Sequence, residues 1–374
     1  MKLWMVLAFV ILLVGCQPSH QLYKVSDVPY GKDRGLVKAP IPREFFTVAQ
    51  ELHTLDMSGE AFNTVGEWYD NESILYIVDV DGGSNVYRFN LFTGETKLFF
   101  STETTILSME ANEDHTMFLF HLSGSRNHAD LVAVDQAGTE LYSWGVTSYD
   151  LDYTWNPYKA DQLFLTTFME DWTYNSSIVE IKNESTKPHQ VPQPFIQWVD
   201  TTQIAYLKWN ENEPSYDAPL YVHDLINGVD HLLLEHIISF SAFSDVLLTI
   251  ENDKDESFNY YRFRKPFTSE LLAEKKLPML TDYSGWFIPS HDFVSSEKLF
   301  YTFKPYEFGA YDTYTKKFSL IEWSLESGTE STILEEVDAL PLNFSPNGSF
   351  ALYGYQFENI IDVKGKVVKP IVQF

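Results

Sequence analysis

The stretch Phe62–Phe100, FNTVGEWYDNESILYIVDVDGGSNVYRFNLFTGETKLFF, decides the fold. It holds four short runs, Asn63–Trp68, Ile74–Val80, Val86–Leu91 and Thr96–Phe100, divided by polar turns at Asp70–Ser73, Asp81–Ser84 and Thr93–Glu95. β-Branched and aromatic residues favour extended backbone, and Gly, Asn, Asp and Ser supply the tight reversals of hairpins. A four-stranded meander has two faces to cover and cannot bury both alone, so it needs copies of itself as neighbours.

The copies are present. Second strands start at Ile74, Met117, Leu163, Ile204, Val246, Leu299 and Phe350, with spacings of 43, 46, 41, 42, 53 and 51 residues. Third strands follow at Val86–Leu91, Asp130–Asp135, Ser177–Ile181, Leu220–Leu225, Asn259–Phe263, Phe318–Trp323 and Asn359–Val363. Four strands per period of this length mark a propeller blade. Six residues before the second strands stand Trp68, Ala111, Trp198, Phe240, Phe293 and Phe344, and Trp155 stands eight before. Large rings at this place fill the gap between blades, so the column reads as core rather than as ligand platforms. Trp155-Asn156-Pro157 and Phe344-Ser345-Pro346-Asn347-Gly348 resemble the W-S-P-D-G turn of TolB-like propeller repeats. The expectation is an all-β chain with a single β-propeller of four-stranded blades over 45–374, seven repeats counted and six possible. Phe45–Gln50 or Val367–Val372 supplies the last outer strand, and Pro370 suits an edge, where no ladder donor is needed.

The chain opens MKLWMVLAFVILLVGC. Its apolar run Leu3–Val14 is too short to span a bilayer stably and reads as a signal peptide over 1–15. Leu13-Val14-Gly15-Cys16 resembles the lipobox of bacterial lipoproteins. That resemblance implies a diacylglyceryl group on Cys16, often with an amide-linked third chain such as palmitate. Two chains or more hold a protein stably at a membrane. Residues 16–44, with Pro18, Pro29, Gly31, Gly35, Pro40 and Pro42, read as the lipidated N-terminus and tether. Whole-chain character, a lipobox, a short tether and then degenerate blades, resembles the YqgU-like lipoproteins of Gram-positive bacteria. The resemblance implies a six-bladed propeller of unknown function at the outer side of a Gram-positive-like cell membrane.

Charge narrows the partners. Five basic and two acidic residues fall in Gln17–Arg43, which leaves 20 basic and 51 acidic in Glu44–Phe374. An anionic membrane surface attracts such a tether and pushes the body away. The acid excess also excludes nucleic acid, whose phosphates it repels. Cys16 is the one cysteine, so no internal disulfide forms.

In a propeller, the loops between strands two and three emerge on the face opposite the short turns between strands one and two. Here these loops are long: Leu122–His128, Met169–Ser176, Trp209–Ala218, Glu251–Ser257 and Lys304–Lys317. They carry Trp172, Tyr174, Trp209, Tyr216, Tyr306, Phe308, Tyr311 and Tyr314. Acids join them: Glu170, Asp171, Glu211, Glu213, Asp217, Asp253, Asp255, Glu307 and Asp312. A minimal fold does not need long aromatic loops, and exposed aromatics mark binding surfaces, so this face reads as the binding face. The bland alternative is that the rings fold onto their own blades.

Asp79–Asn85 offers alternating oxygens, but the closing position of a calcium loop falls on Asn90, so it reads as a hairpin turn. His121, His128 and His115 lack further ligands at zinc spacing. Glu67, Glu110, Asp150, Asp152 and Asp292 lie near first strands, where a spaced pair at the axis would serve glycoside hydrolysis. No G-x-S-x-G, sialidase box or glycine-rich phosphate loop is present. The reading is therefore a membrane-anchored binding or scaffolding module for an envelope protein, peptide or glycan, without cofactor or metal. The rivals are a glycan-active enzyme with axial carboxylates and a calcium-dependent adhesion module.

Overall fold

The computed structural model describes residues 51–210, 215–252, 257–281, 285 and 287–374. The signal peptide, Cys16, the tether, Phe45–Gln50 and the acids Glu211, Glu213, Asp253 and Asp255 lie outside them.

Seven four-stranded antiparallel sheets follow one another as consecutive meanders. Blade one comprises Ala61–Trp68, Ser73–Val80, Gly83–Asn90 and Thr96–Thr102. The second strands begin within one residue of the expected starts, at Ser73, Met117, Gln162, Gln203, Val246, Leu299 and Phe350. They are the most buried: Gln162–Phe168 is covered along its whole length. Both of their faces meet neighbouring blades, which explains their continuous apolar character. The outer strands, such as Thr96–Thr102 and Val229–Ile237, are largely exposed. A register shift between third and outer strands recurs in blades one, two, four, five and six. The two blades without it have outer strands of four residues, Ser185–Pro188 and Val367–Pro370. Such bulges add right-handed twist, which a longer edge needs to follow its blade.

The first strands line the axis, and the aromatic column behaves as core with one correction. Trp68, Trp155, Trp198, Phe293 and Phe344 are buried. Phe240 is only half-buried and pairs with Thr249, whereas the blade-five residue matching the column is Ala242, opposite Leu247. Only Ser244 and Asp245 separate Phe243 from Val246, so a count of six residues overshoots the equivalent position.

Among the described residues no strand from one terminus completes the blade of the other. Blade seven is Leu342–Phe344, Phe350–Tyr353, Asn359–Asp362 and Val367–Pro370, so Val367–Val372 contributes its outer strand and Pro370 sits at the edge. The ring is instead sealed by bonds between blades one and seven. Trp68 Nε1 donates to the Asn343 carbonyl at 2.9 Å, Asn343 Nδ2 to Glu67 Oε1 at 2.8 Å, and Val65 N to the Gln356 carbonyl at 3.0 Å. Leu55–Asp56 runs parallel to Val372–Gln373 across the same junction. One apolar cluster there joins Leu55, Val65, Trp68 and Ile74 to Leu352, Ile360 and Ile371.

Candidate functional site

The residue preceding the aromatic column in each first strand forms a polar belt around the axis: Glu67, Glu110, Thr154, Gln197, Ser241, Asp292 and Asn343. Alternation along a strand turns this position away from the blade core, toward the axis. Several members reach the next blade. Glu67 Oε2 accepts Ala111 N at 3.4 Å, Gln197 Oε1 accepts Ala242 N at 2.6 Å, and Asp292 Oδ2 accepts Phe344 N at 3.0 Å. Glu67 Oε1 also accepts Trp68 N at 2.7 Å. Glu110 makes none of these bonds; only burial and the nearby carboxylates Glu67 and Asp152 act on it, and together they push its carboxyl up to about 8. Burial also raises Glu67, Asp152 and Asp292.

Above this belt, on the face of the short turns, a cavity of about 510 Å³ opens along the axis. Glu67, Glu110 and Asp292 line it, with Glu113 and His115 from the first turn of blade two. Its walls are Trp155, Trp198, Phe243, Phe293 and Phe344. Ala111 and Ala242 stand where other blades carry a large ring, which makes room. Of the five carboxylates weighed for an axial site, Glu67, Glu110 and Asp292 line this cavity; Asp152 lies close enough to Glu110 to act on it but does not line the cavity, and neither does Asp150. Asp150 lines a smaller recess near the long loops with His121 and His128. His128 Nε2 there meets Asp130 at 3.2 Å, and burial lowers the His121 imidazole. Asp79 is occupied within its hairpin, accepting from Ser84 and Asn63 at 2.8 and 3.1 Å. No group of three or more His, Cys, Asp or Glu is arranged to hold a metal ion among the described residues.

The expected aromatic residues lie on the opposite face, in the long loops. Trp172, Trp209, Tyr216, Tyr306, Phe308 and Tyr311 are between 40% and 63% exposed. Trp172 holds a left-handed backbone, φ 63°, uncommon for so large a side chain, and meets Tyr149 and Phe168 edge-on. Tyr311 stacks on Phe287 at 4.1 Å. Tyr174 and Tyr314 are tied inward: Tyr174 donates to the Val191 carbonyl at 3.0 Å, and Tyr314 takes Tyr306 N while donating to the Lys317 carbonyl. The rings fall on three blades: Trp172 and Tyr174 on blade three, Trp209 and Tyr216 on blade four, and Tyr306, Phe308, Tyr311 and Tyr314 on blade six. In the acidic rim Glu307 pairs with Lys316 at 2.6 Å, and Asp217 Oδ2 lies 3.2 Å from His236 Nδ1. The sequence reading passed over Phe195, 64% exposed beside Phe168, and Tyr355, 81% exposed in the long loop of blade seven. An aromatic following Tyr353-Gly354 was the available signal for the latter.

Comparison with known proteins fits this architecture. The sequence profile of the YqgU-like 6-bladed beta propeller domain matches residues 90–354. The chain is 26% identical over 361 residues to the "Uncharacterized lipoprotein YqgU" of Bacillus subtilis (strain 168), spanning 96% of this chain and 93% of that one. The crystal structure of the uncharacterized protein lmo1340 from Listeria monocytogenes EGD-e superposes with a TM-score of 0.79 at 22% identity, covering 86% of this chain and 98% of that one. The β-propeller domain of the Trilobed protease from Pyrococcus furiosus, described as having an open velcro topology, follows at 0.55 and 11%, covering 84% and 98%. These structural likenesses concern the fold alone. The profile description counts six blades, and the chain folds seven. The match leaves out most of blade one and the last two strands of blade seven.

Proposed function

The chain belongs to the YqgU-like β-propeller family, and we propose that it is a lipid-anchored extracytoplasmic module whose long-loop face binds an envelope partner. The lipobox-like Leu13–Cys16 and the lipoprotein name of the Bacillus subtilis relative support the anchor on Cys16. The observation carrying the binding role is the group of large aromatics left in solvent on one face, Trp172, Tyr216, Tyr306, Phe308 and Tyr311, together with Trp209. Exposing that much apolar surface is costly unless something covers it. Tyr174 and Tyr314 shape the loops that present them. Binding is favoured over hydrolysis because two of the axial carboxyls, Glu67 and Asp292, are already engaged as acceptors of backbone N–H groups.

The test is Trp172→Ala with Tyr311→Ala in one chain. A pull-down from intact cells, or a glycan array, should lose most of its signal while the melting temperature holds. An unchanged signal would refute the binding face.

A further inference from the structure

Blade three is filled differently from its neighbours near the long loops. The aromatic-column position pairs with Phe118 in blade two, Leu163 in blade three and Ile204 in blade four. Two residues further along these second strands, blade two sets Phe120 opposite Val132 and blade four sets Tyr206 opposite Tyr221. Blade three sets Leu165 opposite Ser177 there, and then Thr167 opposite Asn175. This face of blade three packs on blade two, because Leu163, Leu165 and Val179 share a cluster with Leu119 and Leu131. Small polar side chains thus stand where the neighbouring blades place apolar bulk. A groove of about 840 Å³ is left between blade three and the end of blade two's outer strand, at Val146 and Thr147.

Trp172, 63% exposed, stands at its mouth. A closed turn fixes its left-handed backbone. Trp172 N donates to the Met169 carbonyl at 2.9 Å and Met169 N to the Thr173 carbonyl at 2.8 Å, while Asp171 Oδ1 accepts Thr173 N and the Thr173 hydroxyl at 3.1 and 2.7 Å. Backbone of this kind persists only where its surroundings hold it, and it clusters at ligand clamps. The groove is also nearly free of charge. Among the described residues no Lys, Arg or Glu lines it, and its one acid, Asp171, is engaged with Thr173. Burial and the nearby His223 hold the His189 imidazole below its ordinary value. The side chains of Asn175, Ser177 and Gln190 make no hydrogen bond within the chain among the described residues.

We propose that this groove binds a neutral oligosaccharide, one sugar ring lying on the Trp172 indole and its hydroxyls meeting Asn175, Ser177 and Gln190. The C–H face of a sugar carries slight positive charge and is drawn to the negative face of an aromatic ring. Its rim of hydroxyls needs donors and acceptors side by side, which amide and hydroxyl side chains supply. An acidic saccharide meets no cation here, and a basic peptide meets a single acid already bonded to Thr173. A neutral peptide adds to a free sheet edge, whereas this wall is formed by Gln162–Phe168 and Tyr174–Glu180, interior strands whose backbone groups are consumed in their own ladders. The assignment rests on the long-loop binding face and narrows it to blade three, apart from Tyr306, Phe308 and Tyr311 on blade six.

The experiment is fluorine NMR of the full chain labelled with fluorotryptophan, in a detergent without sugar, with the Trp172 signal identified by its loss in Trp172→Phe. The probes are the neutral tetramers of N-acetylglucosamine, of β-linked glucose and of α-linked glucose, set against trigalacturonate and a neutral peptide of Gly and Ser. At least one neutral tetramer should move the Trp172 signal at or below about 10 mM, and neither control should. By calorimetry, Trp172→Ala and the groove-filling Ser177→Phe should each weaken that sugar about tenfold or more, and Asn175→Ala about fivefold. Tyr311→Ala should leave it unchanged. Melting temperatures check each variant, and Asn175→Ala with Gln190→Ala, both at the surface, carries the test if Ser177→Phe does not fold. No response to any neutral tetramer, tighter binding of either control, or sugar binding that survives Trp172→Ala but not Tyr311→Ala would each overturn the assignment. If the sugars fail while the pull-down is still lost in the Trp172→Ala, Tyr311→Ala chain, the binding face stands with another class of ligand; an unchanged pull-down ends both.

Discussion

Trp68→Ala tests how the ring is held shut between blades one and seven. Trp68 is fully buried between blades one and seven, and its indole N–H reaches the Asn343 carbonyl. A buried Trp removes roughly 200 Å² from water, worth about 5 kcal/mol at ~25 cal/mol per Å². The retained Cβ and a compact unfolded chain reduce that to about 3–5 kcal/mol. Losing the hydrogen bond adds about 1 kcal/mol and strands a carbonyl. The expected cost is therefore about 4–6 kcal/mol, against a total domain stability of roughly 5–15 kcal/mol. Trp68→Phe keeps most of the ring and loses the N–H, so about 1–2 kcal/mol is expected. Urea unfolding measures both, and limited proteolysis of Trp68→Ala should cut first in blades one and seven. A loss below about 0.5 kcal/mol, typical of a surface change, would refute the seam as the closing element.

Glu110 is raised in the folded state above its unfolded value, so the native chain holds that proton more tightly, and stability falls as pH rises from about 4.5 toward 8. Glu110→Gln should flatten this slope and be the more stable protein by a few kcal/mol near pH 8, as read by urea titrations at several pH values; parallel curves for the two proteins would contradict the burial of that carboxyl. Cys16→Ala should release the chain into the medium or block its processing, as followed by fractionation, and unchanged membrane retention would rule out the lipid anchor.

Strand placement was legible because each blade repeats a local code. A run such as Ile74–Val80 between Asp70–Ser73 and Asp81–Ser84 can only be covered by neighbours on both sides. The seven-blade count follows from that repetition. The site was less legible because it depends on contacts between blades. Nothing local separates Glu110 from Glu67 or Asp292; what distinguishes them is whether the next blade presents an N–H to the carboxylate. The same holds for Trp155 and Trp198, two column tryptophans of which one is bonded and one is not. The Phe240 misplacement has a simpler origin, a two-residue turn in blade five where a longer one is usual. On the long-loop face, loop length and aromatic content do not tell which rings turn inward. Tyr174 and Tyr314 are held by their hydroxyls, a bond their loop sequence does not announce.

Hydrogen exchange at single backbone amides tests ring closure most directly. Val65, Ala111, Ala242 and Phe344 all donate their amide across a blade junction, but only Val65 does so between blades one and seven. Comparable slow exchange at all four is predicted. Fast exchange at Val65 alone, with the other three protected, would mean that the blades form an open ribbon rather than a closed circle.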